Sequence, residues 1–360
     1  MKILIDIGHP AHVHLFKNFA HDMQAKGNEI LFTCRDKEFE IALLQANGFN
    51  FVSFGKKYKS TLGKIYGMLK FDYLMWKVCR KHKPDIFLSH GSPYAAHVAW
   101  LIRKLHISFE DTYNMEQIRL YAPFTDVILT GSYDHPKVSS KEIHYNGYHA
   151  LSYLHPYRFT PDSSIKHKLG IGVDDKYVLI RFVAWNASHD IGQKGISAQN
   201  KINTVLEFAK HAKVFISSEK ELPQELEPFR LSTPPEKIHD VIAYSSLVFG
   251  ESSTMSEEAV ILGVPAIYLN NKSTFCTSHF EREYSLMYNL TESEKDQKRA
   301  TEMGIDLLCK TEQKEAWIKR RKLMMEDKID VTAFLVWFIE NYPESKRIMK
   351  ENPDYQYRFK

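Results

Sequence analysis

Short runs rich in β-branched and aromatic residues alternate with longer stretches of helical periodicity through both halves of this 360-residue chain. In the first 150 residues the runs are KILIDI (2–7), EILFT (29–33), FNFVSF (49–54), DIFLSH (85–90), ISFED (107–111) and DVILT (126–130). Helical patterns fill the gaps near 11–26, 36–47, 61–82, 92–105 and 114–122, and Gly27 and Gly48 stand where helix stops belong. Strands separated by full helices cannot pair as hairpins. They fold as parallel strands with crossover helices, a doubly wound α/β sheet.

Around 145–165 the alternation breaks into NGYHALSYLHPYRFTPD, and a second series follows. Its strands are expected at 177–183, 213–217, 247–250 and 266–270, with helices near 200–211, 236–245, 254–262, 278–287 and 311–326. The expected organisation is therefore an N-terminal Rossmann-like domain over 1–155 and a second over 156–330. The helical segment 331–360 is expected to cross back to the first domain. A chain of this length exceeds what one core usually supports, which agrees with two domains. Two such domains facing one another form a central cleft, and ligands of doubly wound sheets bind outside the carboxyl ends of the strands. That rule selects the loops Gly8–His14, Ser89–Tyr94 and Glu110–Asn114 in the first half, and Ala184–Gly195 and Glu251–Glu258 in the second.

The balance of 48 basic against 44 acidic residues, a net charge of +4, lacks the basic footprint of a dedicated nucleic-acid binder. Cys34, Cys79, Cys276 and Cys309 have no metal-ligand spacing, so no structural zinc is expected and a reducing compartment is. The chain opens directly on a strand, so no signal peptide is expected, and no apolar run is long enough to span a bilayer. A cytoplasmic protein is expected, with peripheral contact at the inner membrane face as a further option. That option comes from residues 56–83, which mix lysines with Tyr58, Tyr66, Phe71, Tyr73 and Trp76. Such a surface lies against anionic headgroups or holds a lipid-phosphate acceptor. The alternative is an amphipathic helix with a solvated face. The cluster 319–322 reads as a solvated face.

Residues 250–270, GESSTMSEEAVILGVPAIYLN, read as a strand end, an anion-binding turn, a helix and the next strand. Thr254 and Glu257 fit a capping box, Gly263 supplies a stop and Pro265 prevents continuation. Ser252 and Ser253 leave amides and hydroxyls at the positive end of that helix, where phosphate oxygens are favoured. Glu258, one turn on, is placed to accept from ribose hydroxyls. The plainer reading is an ordinary capped helix.

These residues resemble the GT-B group of nucleotide-sugar enzymes, which includes UDP-N-acetylglucosamine 2-epimerases and the peptidoglycan N-acetylglucosaminyltransferase. SSTMSEEAVILGVPAI is similar to the epimerase pattern S-G-G-x-Q-E-E-A-x-x-L-G-x-P, in register at Ser252, Ser253, Thr254, Glu257, Glu258, Ala259, Leu262, Gly263 and Pro265. IGHPAHVHLFKN (7–18), FEDTYN (109–114) and ASHDIGQKG (187–195) resemble more narrowly a bacterial and archaeal GT-B-like family of unknown function, over essentially the whole chain. The resemblance implies the GT-B fold, a diphosphate held at Ser252 and the amides that follow, and a ribose on Glu258. It calls for no cofactor.

The chain departs from the epimerases where they carry catalytic acids. Gly91-Ser92-Pro93 replaces G-D-T, Glu110 is followed by Asp111-Thr112-Tyr113 instead of A-G-L-R, and Ile118-Arg119-Leu120-Tyr121 replaces P-E-E-x-N-R. One candidate acid of three remains, which disfavours epimerisation by that mechanism.

The expected chemistry is metal-independent glycosyl transfer from a nucleotide-diphosphate sugar, a UDP-sugar by the resemblance, in surface-polysaccharide or glycolipid synthesis, with a lipid-linked molecule as one option for the acceptor. His12 or His9, in the first loop, is the candidate base, with Glu110 assisting. Otherwise the histidines of that loop cap and pack the helix. Gly8, His14 and Ser92 are placed at the substrate by their loops, as are Arg181, Ser188, His189 and Thr254 in the second domain, with His239 near the base. No metal site is expected, since D-x-D and H-E-x-x-H are absent. The rival readings are a UDP-sugar 2-epimerase or hydrolase, and a non-catalytic nucleotide-sugar-binding protein.

Overall fold

The computed structural model describes residues 1–36, 39–56, 58, 60–183, 195–218, 221–310 and 312–360. It divides into two compact units, Met1–Arg158 with Lys328–Lys360, and Phe159–Asp327.

The first unit is built on β1 (Lys2–Ile7), β2 (Glu29–Cys34), β3 (Phe51–Ser53), β4 (Ile86–His90), β5 (Leu105–Phe109), β6 (Val127–Gly131) and β7 (Glu142–Tyr145). These strands are all parallel and lie in the order β3-β2-β1-β4-β5-β6-β7. Ile3, Leu4 and Ile5 of β1 and Phe87 and Leu88 of β4 are fully buried, as strands covered by helices on both faces require. The order reverses between β1 and β4, so the crevice of this sheet opens where Gly8 and His90 end those two strands.

Residues 328–360 belong to this unit. Helix Val331–Glu340 packs on helix Pro10–Ala25 and on the turn Leu151–Leu154. Arg158 bridges Asp22 and Asp330 at 2.7 Å each, and Gln356 accepts from the Asn146 amide.

The second unit carries β8 (Tyr177–Phe182), β9 (Lys213–Ser218), β10 (Leu247–Gly250), β11 (Ala266–Leu269) and β12 (Tyr288–Leu290) in the parallel order β12-β11-β10-β8-β9. Its switch point lies between β8 and β10. Gly250 has φ +139°, and a Cβ there would stand 2.1 Å from the Arg181 carbonyl oxygen, so only glycine lets β10 end against β8.

The strand runs read from the sequence recur as β1–β6 and β8–β11, with ends differing by a few residues. β7 and β12 are additional. Glu142–Tyr145 and Tyr288–Leu290 are too short for a period-2 signal to stand out. Helix Ser253–Leu262 starts earlier than the capping box implied. The cap is Ser252, whose Oγ accepts from the Met255 amide, while Glu257 accepts from Thr274 Oγ1 at 3.3 Å. The capping box forms instead at Thr274 and Thr277, which starts the next helix at Phe275. Gly263 does end its helix, with φ +85°. Arg321, read as part of a solvated face, is half-buried and donates from Nε to the Ile261 carbonyl at 2.6 Å. Among the described residues no helix is long and apolar enough to cross a membrane.

Candidate functional site

At the switch point of the first sheet, strand ends bring three imidazoles and a carboxylate together. His90 terminates β4, Asp111 follows β5, His149 follows β7 and His12 lies in the first turn of helix Pro10–Ala25. His90 Nε2 is 2.8 Å from Asp111 Oδ1, and His149 Nδ1 is 2.7 Å from Asp111 Oδ2. Each oxygen of one carboxylate therefore holds one ring. The His12 ring stacks on His90 with centroids 4.4 Å apart, and the His90 and His149 rings meet edge to face at 5.1 Å. Phe109 and Tyr145 flank His149.

Asp111 fixes the state of both partners. Burial opposes its charge, but the adjacent His149 and His90 outweigh that and hold its carboxyl well below the usual range. Burial likewise disfavours a charged His90, yet the Asp111 carboxylate raises it above the usual imidazole value. The two shifts favour an ionised Asp111 beside a protonated His90. The Asp111 contribution to stability is lost as pH falls through its lowered folded value, and that of His90 is lost as pH rises through its raised one.

In the neutral ring, an ionised Asp111 places the His149 proton on Nδ1 and the lone pair on Nε2. That Nε2 is buried without a hydrogen-bond partner among the described residues. A buried imidazole lone pair oriented by a carboxylate is the arrangement of a general base awaiting a hydroxyl. The donor atoms of His90, Asp111 and His149 also lie within 4.8 Å of one another, close enough to offer ligands to a divalent cation.

The loop residues singled out from the sequence take distinct places. His9 caps helix Pro10–Ala25, its Nδ1 accepting from the Ala11 amide. His12 Nδ1 accepts from the Gly8 amide at 3.2 Å, so the neutral ring carries its proton on Nε2 and acts there as a donor. His14 is buried against Tyr153. Ser92 is buried, and its Oγ donates to Asp6 at 2.5 Å while accepting from the Ala95 amide. Glu110 is buried and accepts four hydrogen bonds. Oε1 takes the Thr112 amide and hydroxyl and the Tyr113 amide, and Oε2 takes the Tyr121 hydroxyl. Those bonds shape the turn that presents Asp111.

The sequence does not single out His90, although it lies in a selected loop, or His149, which lies in the stretch expected as the domain crossover. Of the adjacent carboxylates Glu110 and Asp111, either of which could orient an imidazole, the sequence favours Glu110, whereas it is Asp111 that meets the histidines.

Beneath the cluster, Asp6 at the end of β1 accepts from Thr33 Oγ1 at 2.7 Å, Ser92 Oγ at 2.5 Å and Arg35 Nη1 at 2.6 Å. Arg35 is 3% exposed and lies under the Tyr94 ring. Its Nη2 would stand 3.3 Å from a Cβ at Gly8, which leaves little room for a side chain in the first loop.

In the second unit the switch point places Glu251–Thr254 after β10. Ser252, Ser253 and Thr254 are partly exposed at the positive end of helix Ser253–Leu262. Arg181, the penultimate residue of β8, donates from Nη1 to Ser217 Oγ at 2.9 Å. Glu258 is 4% exposed, and its Oε1 lies 3.0 Å from Nε2 of the equally buried His239. Glu251 accepts from the Val183 amide at 2.8 Å and the Ile196 amide at 2.6 Å. Ser188 and His189 lie outside the described residues.

A family model described as "Protein of unknown function (DUF354)" matches residues 1–332. No curated protein matches the chain in sequence. Among solved structures, the chain resembles a Staphylococcus aureus MnaA–UDP co-structure at 15% identity, covering 96% of this chain and 97% of that one, with a TM-score of 0.67. A UDP-GlcNAc 2-epimerase from Neisseria meningitidis bound to UDP-GlcNAc gives 16% identity, coverage of 91% and 99%, and a TM-score of 0.65. The spinosyn rhamnosyltransferase SpnG complexed with spinosyn aglycone gives 14% identity, coverage of 95% and 100%, and a TM-score of 0.55. At these identities the likeness establishes the GT-B fold.

Proposed function

The chain belongs to the DUF354 family, and from that membership, the GT-B fold and the two switch-point sites we propose that it is a metal-independent glycosyltransferase using a nucleoside-diphosphate sugar. A UDP-sugar is the expected donor, and a polysaccharide or glycolipid precursor the expected acceptor. The observation that carries the reading is the hydroxyl-lined N-terminus of helix Ser253–Leu262 at the switch point of the second sheet. Amides and hydroxyls at a helix N-terminus suit a diphosphate, and the helix dipole stabilises it as it departs. In this reading Ser252, Ser253 and Thr254 hold the diphosphate, with Arg181 as the accompanying cation. Glu258, kept in place by His239, meets the ribose. The solved structures with UDP and UDP-GlcNAc bound share this fold, which supports the donor class.

Proton transfer is assigned to the first unit. His149 Nε2 takes the proton from the acceptor hydroxyl as its oxygen forms the new bond to the anomeric carbon, and Asp111 stabilises the imidazolium that results. His12 Nε2–H and the protonated His90 offer hydrogen bonds to negative charge. Hydrogen-bond distances from both Asp111 oxygens to the two rings favour proton transfer over metal ligation as the use of this cluster.

The test is incubation of the full chain with UDP-N-acetylglucosamine and other nucleotide sugars in excess EDTA, alone and with a bacterial lipid and oligosaccharide extract. Sugar transfer to an extract component, undiminished by EDTA, is the expected outcome. Turnover without the extract supports the epimerase or hydrolase reading. Transfer abolished by EDTA and restored by a divalent cation would assign the His90, Asp111 and His149 cluster to a metal.

A further inference from the structure

Helix Thr61–His82 is apolar on two opposite faces. One face is core: Phe71, Met75 and Cys79 are at most 3% exposed and pack with Phe54, Phe87, Ala95 and Val98. On the other side Leu62, Ile65, Tyr66, Leu69 and Tyr73 are 81%, 56%, 59%, 69% and 59% exposed. Their spacing of i, i+3, i+4, i+7 and i+11 puts them in one stripe about 100° wide, and Trp76 continues it. Among the described residues of the unit no side chain buries that stripe. Tyr66 leans edge-on against Tyr58, and Trp76 lies beside Tyr73 and under Arg80.

The charge around the stripe has one sign. Residues 56–83 contain nine lysines and arginines and a single acid, Asp72, which is itself paired with His97 at 3.0 Å. Lys70 and Lys77 flank the stripe on the helix and Arg80 ends it.

We propose that this helix docks the protein onto the surface of an anionic lipid bilayer, the stripe Leu62–Tyr73 entering the headgroup and upper acyl region and the surrounding cations meeting lipid phosphates. An interfacial helix needs this combination of an apolar face and basic flanks. Tyr66, Tyr73 and Trp76 join an apolar ring to a polar tip, as residues at headgroup depth do. A second copy of the chain is a poorer occupant, because a two-fold contact sets the same cations against one another. The helix lies on the membrane rather than crossing it. The inference does not depend on the donor or the reaction proposed above.

The test is co-sedimentation of the full chain with phosphatidylcholine vesicles, with and without phosphatidylglycerol. The chain is expected to sediment with the anionic vesicles, less at raised salt, and to stay in solution with phosphatidylcholine alone. Leu62→Ser with Leu69→Ser is expected to weaken partitioning about tenfold for each leucine. The thermal unfolding midpoint should not change, since both side chains are already in solvent. Equal binding by the double variant, or binding indifferent to phosphatidylglycerol, overturns the proposal. So does a wild-type dimer by light scattering that the double variant turns into monomer, which would assign the stripe to self-association.

Discussion

His149→Ala is expected to lower kcat for sugar transfer by about 10²–10⁴-fold, the usual loss when a positioned acid–base group is removed, with a much smaller change in donor KM. The expectation follows from Asp111, whose two oxygens hold His149 and His90 at 2.7 and 2.8 Å. Asp111→Asn should reproduce most of the loss, because an amide that donates to His149 Nδ1 moves the ring proton to Nε2 and removes the lone pair. The double variant should be scarcely worse than either single one, since the residues act as a unit. Ring-proton NMR supplies an independent readout: with the Asp111 carboxylate gone, burial of His90 is opposed only by the charge of Glu110 and a backbone hydrogen bond, and its titration should move to lower pH in Asp111→Asn. Transfer at wild-type rate in His149→Ala, or an unmoved His90 titration, contradicts the assignment.

The second large effect is on stability. Asp6→Ala is expected to destabilise the first unit by about 3–5 kcal/mol in denaturant titration, because it strands the Arg35 guanidinium in a site 3% exposed. Thr33 and Ser92 lose their acceptor in the same substitution. Asp6→Leu with Arg35→Met, which removes both charges and fills the site with apolar side chains, should recover most of that loss. Gly8 rests against Arg35, so even a folded single variant should show an altered first loop. A loss below about 1 kcal/mol for Asp6→Ala would mean that solvent reaches Arg35 and that the pair does not hold the strand ends.

Topology was legible because it depends on period and spacing. β1–β6 and β8–β11 announce themselves as apolar runs separated by helix-length gaps, and the carboxyl-end rule then picks the loops. The site was less legible because its members converge from separate strands. Glu110 and Asp111 are adjacent in sequence, and nothing in FEDTYN says which side chain turns inward. The difference comes from the Tyr121 hydroxyl, eleven residues on, which donates to Glu110 Oε2 and leaves Asp111 to the histidines. His149 follows β7, a strand of four residues whose alternation is too short to stand out, so the loop after it was not among those the strand ends selected. At the turn 252–254, read from the sequence as anion-binding, the structure moves the helix cap by two residues, from Thr254 to Ser252. Ser252 and Thr254 are both good caps by composition, serine somewhat the better, and the helix takes Ser252.

The most direct test of a nucleotide site at that turn is calorimetric titration of UDP into the full chain and into Ser253→Glu. A glutamate in the first turn suits the helix dipole, so the variant should fold with an unchanged or slightly raised melting temperature, while its charge opposes a phosphate at the same place. Binding to wild type and at least about a tenfold loss in the variant is the predicted result. Equal affinity for UDP in both proteins would contradict it.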